Sequence, residues 1–432
     1  MKMANMDDYF DVVIVGTGAA GLYCALNLPA RYRILLLTKQ KADESDSFLA
    51  QGGICMQHGE ADYRPFFDDT MRAGHYENNP ATVDLMIRSS NSIIRDLVRR
   101  GVRFARDDHG ALRFTREGAH SRPRILFHED ITGHEITQTL LNEVLRCENI
   151  ELREHTTLLD FFADASACGG VIAAGPDGEP RAIGAGAVVL ACGGIGGLYK
   201  NSTNFPHITG DAIAMALRHG VACEHLDYIQ IHPTTLYSHR KGRRFLISES
   251  VRGEGALLLD KNGNRFTNEL QPRDVASAAI RAQMEKDGTD HVWEDMCPIG
   301  EAAIREHFPN ILERCEEEGY DPIHEPIPVV PAQHYFMGGI TAGLSSRTAL
   351  PRLYACGETC CNGVHGRNRL ASNSLLESLV FAQRAADDIL YGEPPVFTGD
   401  KPDLAPYREQ EPLFAAYRQE VLTAIERSKN HE

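Results

Sequence analysis

The sequence predicts an α/β protein whose Rossmann-like dinucleotide-binding domain is interrupted by an inserted α+β domain. Three observations lead to this fold class. A glycine-rich turn joins an apolar strand to a helix near the N-terminus, and a second glycine-rich turn follows an apolar strand at 187–192. Between residues 226 and 336 the chain changes character, with short strands and loops rich in His and Arg. The length of 432 residues is sufficient for two or three domains.

The first βα unit carries the glycine fingerprint of dinucleotide binding. Residues 11–15, DVVIV, form an apolar run typical of a buried parallel strand, and the sequence GTGAAG follows at 16–21. Gly16 permits a tight turn, Gly18 lets the backbone approach a pyrophosphate, and Gly21 allows helix and strand to pack closely. The helix N-terminus then offers free amides to the phosphates. We therefore predict that this turn binds a dinucleotide.

The remaining elements follow from hydrophobic periodicity and from residues that start helices. Strands are predicted at 33–37, 151–162, 170–174, 187–192 and 353–356. Helices are predicted at 80–101, 131–147, 210–218, 275–286, 300–318 and 373–391.

These elements suggest three parts of the chain. A discontinuous nucleotide-binding domain comprises residues 1–225 and 337–395, and residues 226–336 form a capping domain inserted into it. Pro394-Pro395 marks a boundary, after which residues 396–432 form a short helical tail.

Composition excludes several classes of partner. A net charge of −16 argues against nucleic acid and against an anionic membrane surface. No apolar run approaches the roughly 18 residues that a membrane-spanning helix requires. The N-terminal sequence MKMANMDDYF lacks the apolar region of a secretory signal. We expect a cytoplasmic protein.

The cysteines are interpreted as reduced thiols. Eleven cysteines in a cytoplasmic chain are not expected to form a disulfide framework. Cys356, Cys360 and Cys361 form the only tight cluster in the sequence, and their spacing matches neither a zinc nor an iron–sulfur pattern. No metal site is predicted.

The second predicted strand ends at Lys39, where a dinucleotide fold normally places an acidic residue that binds the adenosine ribose. A lysine cannot accept the proton of the 2′-hydroxyl, so simple NAD binding is disfavoured. The residue alone leaves two alternatives open, NADP or a phosphate or adenosine edge of FAD.

A series of motifs then identifies a family. The chain resembles flavoproteins of the fumarate reductase/succinate dehydrogenase type and, within them, the L-aspartate oxidases. In order, the motifs are VVIVGTGAAGL (12–22), SDSFLAQGGI (45–54), TREGAHS (115–121), TGDAIAMA (209–216), IQIHPTTL (229–236), SESVRGEGA (248–256), ELQPRD (269–274), QHYFMGGI (333–340), YACGE (354–358) and HGRNRLASNSLLE (365–377). The resemblance implies an FAD-binding domain of the glutathione-reductase type, with the active site between the capping domain and the isoalloxazine ring.

The resemblance also implies a set of FAD contacts. They are Gly16, Thr17, Gly18, Ala19, Ala20, Lys39, Asp46, Ser47, Phe48, Leu49, Ala50, Gln51, Gly52, Gly53, Leu159, Asp211, Glu358, Ser374 and Leu375. A lysine at position 39 is what the aspartate oxidases have, which favours FAD over NADP. In succinate dehydrogenases the place of Asp46 is taken by the histidine that attaches FAD covalently. We therefore expect FAD to be bound non-covalently.

The same resemblance places five residues around a C4 dicarboxylate. His232 and Ser248 would hold one carboxylate, and His334 and Arg369 the other, with Ser248 standing where a threonine is expected. Arg273 corresponds to the acid/base of the family, and Glu249 and Arg252 would support this side of the site. Because a free guanidinium is a poor base, an alternative remains open in which Arg273 only stabilises charge and another group takes the proton.

Glu117 would separate an aspartate oxidase from its relatives. A carboxylate near the substrate repels succinate but can pair with an α-ammonium group. Taken singly, these residues also have ordinary interpretations. His232 could be a turn residue, Arg273 a surface charge at a helix start, Arg369 a partner of Glu377, and Glu117 a solvated loop residue.

The resemblance implies FAD-dependent oxidation of L-aspartate to iminoaspartate by hydride transfer from C2 to flavin N5. Oxygen or fumarate would reoxidise the flavin, giving H2O2 or succinate, and the product would pass to quinolinate synthase in de novo NAD biosynthesis. The chief alternative is a soluble fumarate reductase or succinate dehydrogenase flavoprotein subunit, against which Asp46 and Glu117 both argue. A non-catalytic FAD-binding module is a third hypothesis. The tail at 396–432 is shorter than the C-terminal domain usual in this superfamily, so we expect differences in cap closure, stability or oligomerisation.

Overall fold

The computed structural model describes residues 8–240, 242–392 and 395–429. The start of the chain, on which the absence of a signal peptide was judged, and Pro394 of the predicted boundary lie outside the described residues. Strands are β1 Tyr9–Val15, β2 Ile34–Leu37, β3 Ile54–Cys55, β4 Phe114–Thr115, β5 Ile125–Leu126, β6 Ile150–Arg153, β7 Thr157–Ala163, β8 Cys168–Ala174, β9 Pro180–Leu190, β10 Cys223–Glu224, β11 Ile229–Leu236, β12 Leu257–Leu259, β13 Val292–Asp295, β14 Ile327–Phe336, β15 Gly339–Thr341, β16 Leu353–Ala355 and β17 Cys360–Cys361. Helices are α1 Ala19–Asn27, α2 Tyr63–Ala73, α3 Pro80–Arg100, α4 Thr132–Val144, α5 Asp211–Arg218, α6 Glu249–Gly253, α7 Arg273–Asp287, α8 Glu301–His307, α9 Pro309–Glu317, α10 Asn373–Tyr391 and α11 Gln410–Lys429.

A seven-stranded sheet forms the centre of the nucleotide-binding fold. Its strand order is β6-β2-β1-β9-β8-β7, with β16 also paired to β9. β6, β2, β1, β9 and β16 pair in parallel, whereas β8 and β7 are antiparallel. Alternate residues of β1 face opposite sides, so Val12 and Ile14 join one apolar cluster and Val13 and Val15 the other. Helices cover both faces, which confirms the predicted α/β fold class.

Residues 229–336 contribute a second, antiparallel sheet of order β11-β14-β13-β12. Helices α6 to α9 lie in the same stretch of chain, and a separate apolar cluster is made of residues between Leu236 and Val329. A small three-stranded sheet, β10-β15-β17, combines the strand that precedes this stretch with the strand that follows it.

Two local predictions differ from the structure, and two features of the structure were not predicted. The predicted strand 151–162 is two strands, β6 and β7, because the chain bends between them at His155, which has a φ of +50°. The predicted helix 300–318 is likewise interrupted, and α9 starts at Pro309, whose ring nitrogen carries no hydrogen to continue the previous helix. Helix α2 and the small sheet β3-β5-β4 were not predicted. Over the described part of the chain, no helix combines the length and apolarity needed to cross a bilayer.

Glu294 on β13 is a buried acid within the apolar part of the antiparallel sheet. It is fully buried, and neither of its carboxylate oxygens forms a hydrogen bond with the described residues. Burial raises the pKa of Glu294 to about 8, although the charge of Arg252 opposes this shift. The ionised form is therefore disfavoured in the folded protein.

Because the folded pKa of Glu294 exceeds the unfolded one, the wild-type protein should lose stability as the pH rises from about 4.5 to about 8. Glu294→Gln removes this titration. The difference in unfolding free energy between the variant and the wild type should grow by about 1.4 kcal/mol per pH unit in that window and stay constant above it. Urea unfolding at pH 5, 7 and 9 measures this difference. Glu285→Gln, an exposed change on α7, is the control, and a pH-independent difference for Glu294→Gln would contradict the prediction.

Candidate active site

One large cavity extends from the glycine-rich turn after β1 to side chains carried by β11, α6, α7 and β14. Most residues that the sequence placed around FAD line it. They are Gly16, Thr17, Gly18, Ala20, Lys39, Asp46, Ser47, Leu49, Ala50, Gln51, Gly52, Gly53, Asp211, Glu358, Ser374 and Leu375. All six residues proposed for the substrate line the same cavity, namely Glu117, His232, Ser248, Arg273, His334 and Arg369.

The end of the cavity at β1 is shaped to accept a dinucleotide. Gly16 has a φ of +112°, and a Cβ at this position would lie 2.0 Å from the Ala191 carbonyl oxygen, so only glycine fits the turn. Gly18 is the N-cap of α1 and provides no side chain to cap it. Lys39 Nζ lies 2.7 Å from Asp211 Oδ2. The Asp211 carboxylate thus places beside Lys39 a hydrogen-bond acceptor, which a lysine side chain cannot provide.

The loop from Ser45 to Gly53 contains polar atoms that have no partner within the described structure. Ser45 Oγ, Asp46 Oδ2 and Gln51 Oε1 are buried without hydrogen bonds, although each of these residues lines the cavity. Burial raises the pKa of Asp46, which has the charge of Arg243 opposite it. Because buried polar atoms are normally hydrogen-bonded, these atoms fit a polar occupant such as FAD.

Three predicted cofactor residues do not line the cavity. The Ala19 amide donates a 3.0 Å hydrogen bond to Ser47 Oγ, and Phe48 contacts the His134 ring edge to face. The Leu159 side chain lies in an apolar cluster with Phe162 and Phe397, on the far side of β7. Its neighbour Leu158 lines the cavity instead, since successive side chains on a strand point in opposite directions. Of these two residues Leu158 lines the cavity, and a contact of Leu159 with FAD stays a prediction.

Two arginines share one acceptor at the other end of the cavity. Arg273 Nε donates to Glu249 Oε2 at 2.6 Å, and Arg273 Nη1 donates to Gln230 Oε1 at 2.9 Å. Arg369 Nε also donates to Gln230 Oε1, at 3.3 Å, while its Nη1 donates to Ser374 Oγ. Gln230 was missed from the sequence, although it lies two residues before His232 on β11 and therefore on the same face of the strand.

The charge of Glu249 balances the arginines. Burial alone would raise the pKa of Glu249, but Arg273 and Arg252 outweigh burial and hold it below its ordinary value. Burial, with Arg273 nearby, lowers the pKa of Arg369. The site thus combines an ionised Glu249 with two guanidinium groups that can bind carboxylates.

The two histidines lie side by side but are not cations. Their ring centroids are 5.1 Å apart, and burial, together with the charge of Arg273, holds the pKa of both His232 and His334 well below the ordinary value. His232 Nδ1 lies 2.9 Å from the Thr234 carbonyl oxygen and 3.2 Å from the Thr234 amide nitrogen, so either tautomer of the neutral ring finds a partner there. His232 Nε2 is buried and has no partner among the described residues. To donate to a carboxylate, Nε2 must carry a hydrogen.

Hydroxyl groups position the other members of the site. Thr203 Oγ1 lies 2.7 Å from His334 Nδ1, which fixes the plane of the ring. Ser248 is the N-cap of α6, and its Oγ accepts a hydrogen bond from the Ser250 amide. The Ser248 hydroxyl hydrogen therefore stays available for a ligand in the cavity.

Glu117 is held on the wall of the cavity by two serines. Ser250 Oγ donates to its Oε1 at 2.9 Å, and Ser372 Oγ donates to its Oε2 at 2.5 Å. Burial, with the charge of Glu249, raises the pKa of Glu117. A Cβ at Gly52 would lie 2.4 Å from Glu117 Oε1, so the acid directly contacts the loop that lines the cofactor end. Neither serine was predicted, since both contacts join distant parts of the sequence.

A mainly parallel sheet, a glycine-rich turn suited to phosphates and a cavity lined by cationic groups define a dinucleotide-binding protein. The model of the FAD binding domain family matches residues 11–375. Among curated proteins, the L-aspartate oxidase of Clostridium perfringens is 47% identical over 380 residues, covering 88% of this chain and 86% of the relative. The L-aspartate oxidase of Nostoc sp. is 44% identical over 442 residues, covering 98% and 76%. The chain therefore belongs to the FAD-binding family and, within it, to the L-aspartate oxidases, and it is an FAD flavoprotein.

Solved structures agree with this assignment. A quinol-fumarate reductase with menaquinol molecules has a TM-score of 0.84 and 31% identity, and the match covers 95% of this chain and 75% of that one. Sdh1 of Mycobacterium smegmatis has a TM-score of 0.75 and 30% identity, with 90% and 70% covered. The chain thus shares its fold with a quinol-fumarate reductase and with Sdh1.

Proposed function

We propose that this chain oxidises L-aspartate to iminoaspartate with FAD, the first step of de novo NAD biosynthesis toward quinolinate. One observation carries the proposal. Arg273, Arg369, His232 and His334 converge on a single cavity that also contains the buried acid Glu117. Cationic and neutral donors of this kind bind a diacid, and the Glu117 carboxylate beside them selects the form that bears an α-ammonium group.

The chain's residues divide the binding of a four-carbon diacid between two walls. Arg369 and His334 would hold one carboxylate, and His232 and Ser248 the other. Because Gln230 fixes both Arg273 and Arg369, the two guanidinium groups are oriented before substrate arrives. We propose that residues 226–336 act as the cap and carry His232, Ser248, Arg273 and His334. We also propose that FAD is bound non-covalently, because Asp46 cannot form the covalent bond that a histidine forms at this place.

When bound, FAD supplies the two-electron acceptor that takes the C2 hydrogen as hydride. The substrate amine must also lose a proton, and two residues can receive it. Arg273 is paired with Glu249, whose ionised carboxylate stabilises its charge. The ionised Glu117 carboxylate can accept a proton directly, and its raised pKa favours that transfer, whereas the Arg273 guanidinium would first have to lose a proton of its own.

In the cell, the reduced flavin needs an electron acceptor and the product needs an enzyme that consumes it. Oxygen or fumarate would reoxidise the flavin, giving H2O2 or succinate. Iminoaspartate hydrolyses readily, so we propose that quinolinate synthase receives it, and that both proteins act in the cytoplasm.

Anaerobic mixing of the FAD-loaded protein with L-aspartate, and separately with succinate, tests the assignment. We expect aspartate to bleach the oxidised flavin band and succinate to leave it unchanged. Bleaching by succinate alone would instead identify a fumarate reductase or succinate dehydrogenase flavoprotein subunit. A flavin that binds tightly but is reduced by neither substrate would identify a non-catalytic FAD-binding module.

A further inference from the structure

The three-stranded sheet β10-β15-β17 lies where the chain enters and leaves residues 226–336. β10 ends at Glu224, directly before this stretch, and β15 begins directly after β14. β17 follows Glu358, which lines the FAD end of the cavity. The sheet therefore connects both chain crossings to the cofactor side of the molecule.

A mixed cluster of metal-ligand side chains lies on this sheet. One carboxylate oxygen of Glu224, one ring nitrogen of His225 and Cys361 Sγ all lie within 4.8 Å of one another. The His225 ring stacks on Tyr228 with centroids 4.3 Å apart, which restricts its orientation. Within the described residues, neither the Glu224 carboxylate nor the His225 ring takes part in a hydrogen bond or ion pair.

The three side chains of this cluster differ in their exposure to solvent. Cys361 is buried, whereas Glu224 and His225 are exposed, so the cluster forms an open site with one buried ligand. The Glu224 carboxylate lies beside the Cys361 thiol, so a cation bound between them would be held by both groups. A thiol binds a cation as the thiolate, and binding therefore displaces the thiol proton to solvent.

We propose that Glu224, His225 and Cys361 form a site for a thiophilic divalent cation, with Zn²⁺ as the ion that fits the donor set. A thiolate, an imidazole and a carboxylate are ligands that Zn²⁺ accepts, and three protein ligands leave a fourth position for water. The sulfur ligand discriminates against Mg²⁺ and Ca²⁺, which prefer oxygen. Glutamate and thiolate together neutralise the charge of the ion.

The site joins elements that the active site depends on. Zn²⁺ held by β10 and β17 would tie the strand entering residues 226–336 to the strand that follows Glu358. Because the ion binds only the folded arrangement, it should raise the thermal midpoint as its concentration increases. Sequence spacing could not reveal the site, since Cys361 meets its partners only through the pairing of β15 with both β10 and β17.

Zn²⁺ alone, added to the reduced, FAD-loaded protein and followed by dialysis against metal-free buffer, tests the proposal. We expect one retained Zn²⁺ per chain, with a zinc K-edge absorption spectrum containing one sulfur ligand at about 2.3 Å. Cys361→Ser and His225→Gln should each weaken binding at least tenfold. His225 is exposed, so its variant is informative even if Cys361→Ser fails to fold.

Cys360→Ser is the matched control. Cys360 is the neighbouring cysteine on β17, but it packs in the apolar core beside the central sheet. This variant should retain the wild-type affinity for Zn²⁺. A spectrum without sulfur, or unchanged affinity in both His225→Gln and Cys361→Ser, would overturn the proposal. These measurements use no aspartate, so they succeed or fail independently of the proposed activity.

Discussion

Arg273→Leu is expected to lower the rate of aspartate oxidation by about 10³-fold while FAD stays bound. The guanidinium of Arg273 lies in the cavity and is fixed by Glu249 and Gln230, so its loss removes both a carboxylate donor and the counter-charge of Glu249. The anaerobic rate of flavin bleaching by aspartate measures the effect, and the ratio of flavin to protein absorbance measures FAD content.

Two further variants separate chemistry from folding. Arg273→Lys retains a positive charge beside Glu249, which reduces the loss of stability that an unpaired buried carboxylate would cause. It lacks the forked donors with which Arg273 binds both Glu249 and Gln230. We expect its rate to remain at least tenfold below wild type. Arg281→Leu removes an exposed arginine of the same helix and should change the rate by less than twofold. An Arg273→Leu protein that turns over within tenfold of wild type would exclude Arg273 from the chemistry.

Glu117→Gln is expected to lower kcat/KM for aspartate by about 10- to 100-fold, because it removes one charge-assisted hydrogen bond to the α-ammonium group. Fumarate carries no ammonium group, so reoxidation of the reduced flavin by fumarate should change by less than twofold. Both rates can be followed at the flavin band in the same anaerobic instrument, with aspartate for reduction and fumarate for reoxidation.

The amide of Glu117→Gln keeps the shape of the side chain. Its oxygen can accept from one of Ser250 and Ser372, and its NH2 group can donate to the hydroxyl oxygen of the other, which preserves the wall of the cavity. Glu179→Gln, at an exposed turn, is the control for the substitution itself. Equal losses with aspartate and fumarate would mean that Glu117 shapes the site without selecting the amino group.

The sequence predicts those parts of the fold and of the candidate site that depend on residues close together in the chain. The run at 11–15 and the glycines after it specify strand, turn and helix within a few residues, and the structure confirms this unit. The candidate site residues lie in short sequence motifs, so they could be assigned by resemblance. Their contacts could not be placed in this way.

What the sequence missed depends on long-range packing. Gln230 holds Arg273 and Arg369 only because β11, α7 and the segment before α10 meet in space. The resemblance placed Leu159 near FAD, but it does not give the direction of side chains along β7, where Leu158 is the residue that lines the cavity. The neutral state of His232 and His334 arises from burial, which a linear motif does not record.

The close approach of Gly52 and Glu117 has an evolutionary consequence. A methyl group at position 52 would displace the carboxylate oxygen at 117, so a larger residue in this loop would move the acid. Selection on the cofactor loop therefore also acts on the position of the group that we propose to recognise the amine.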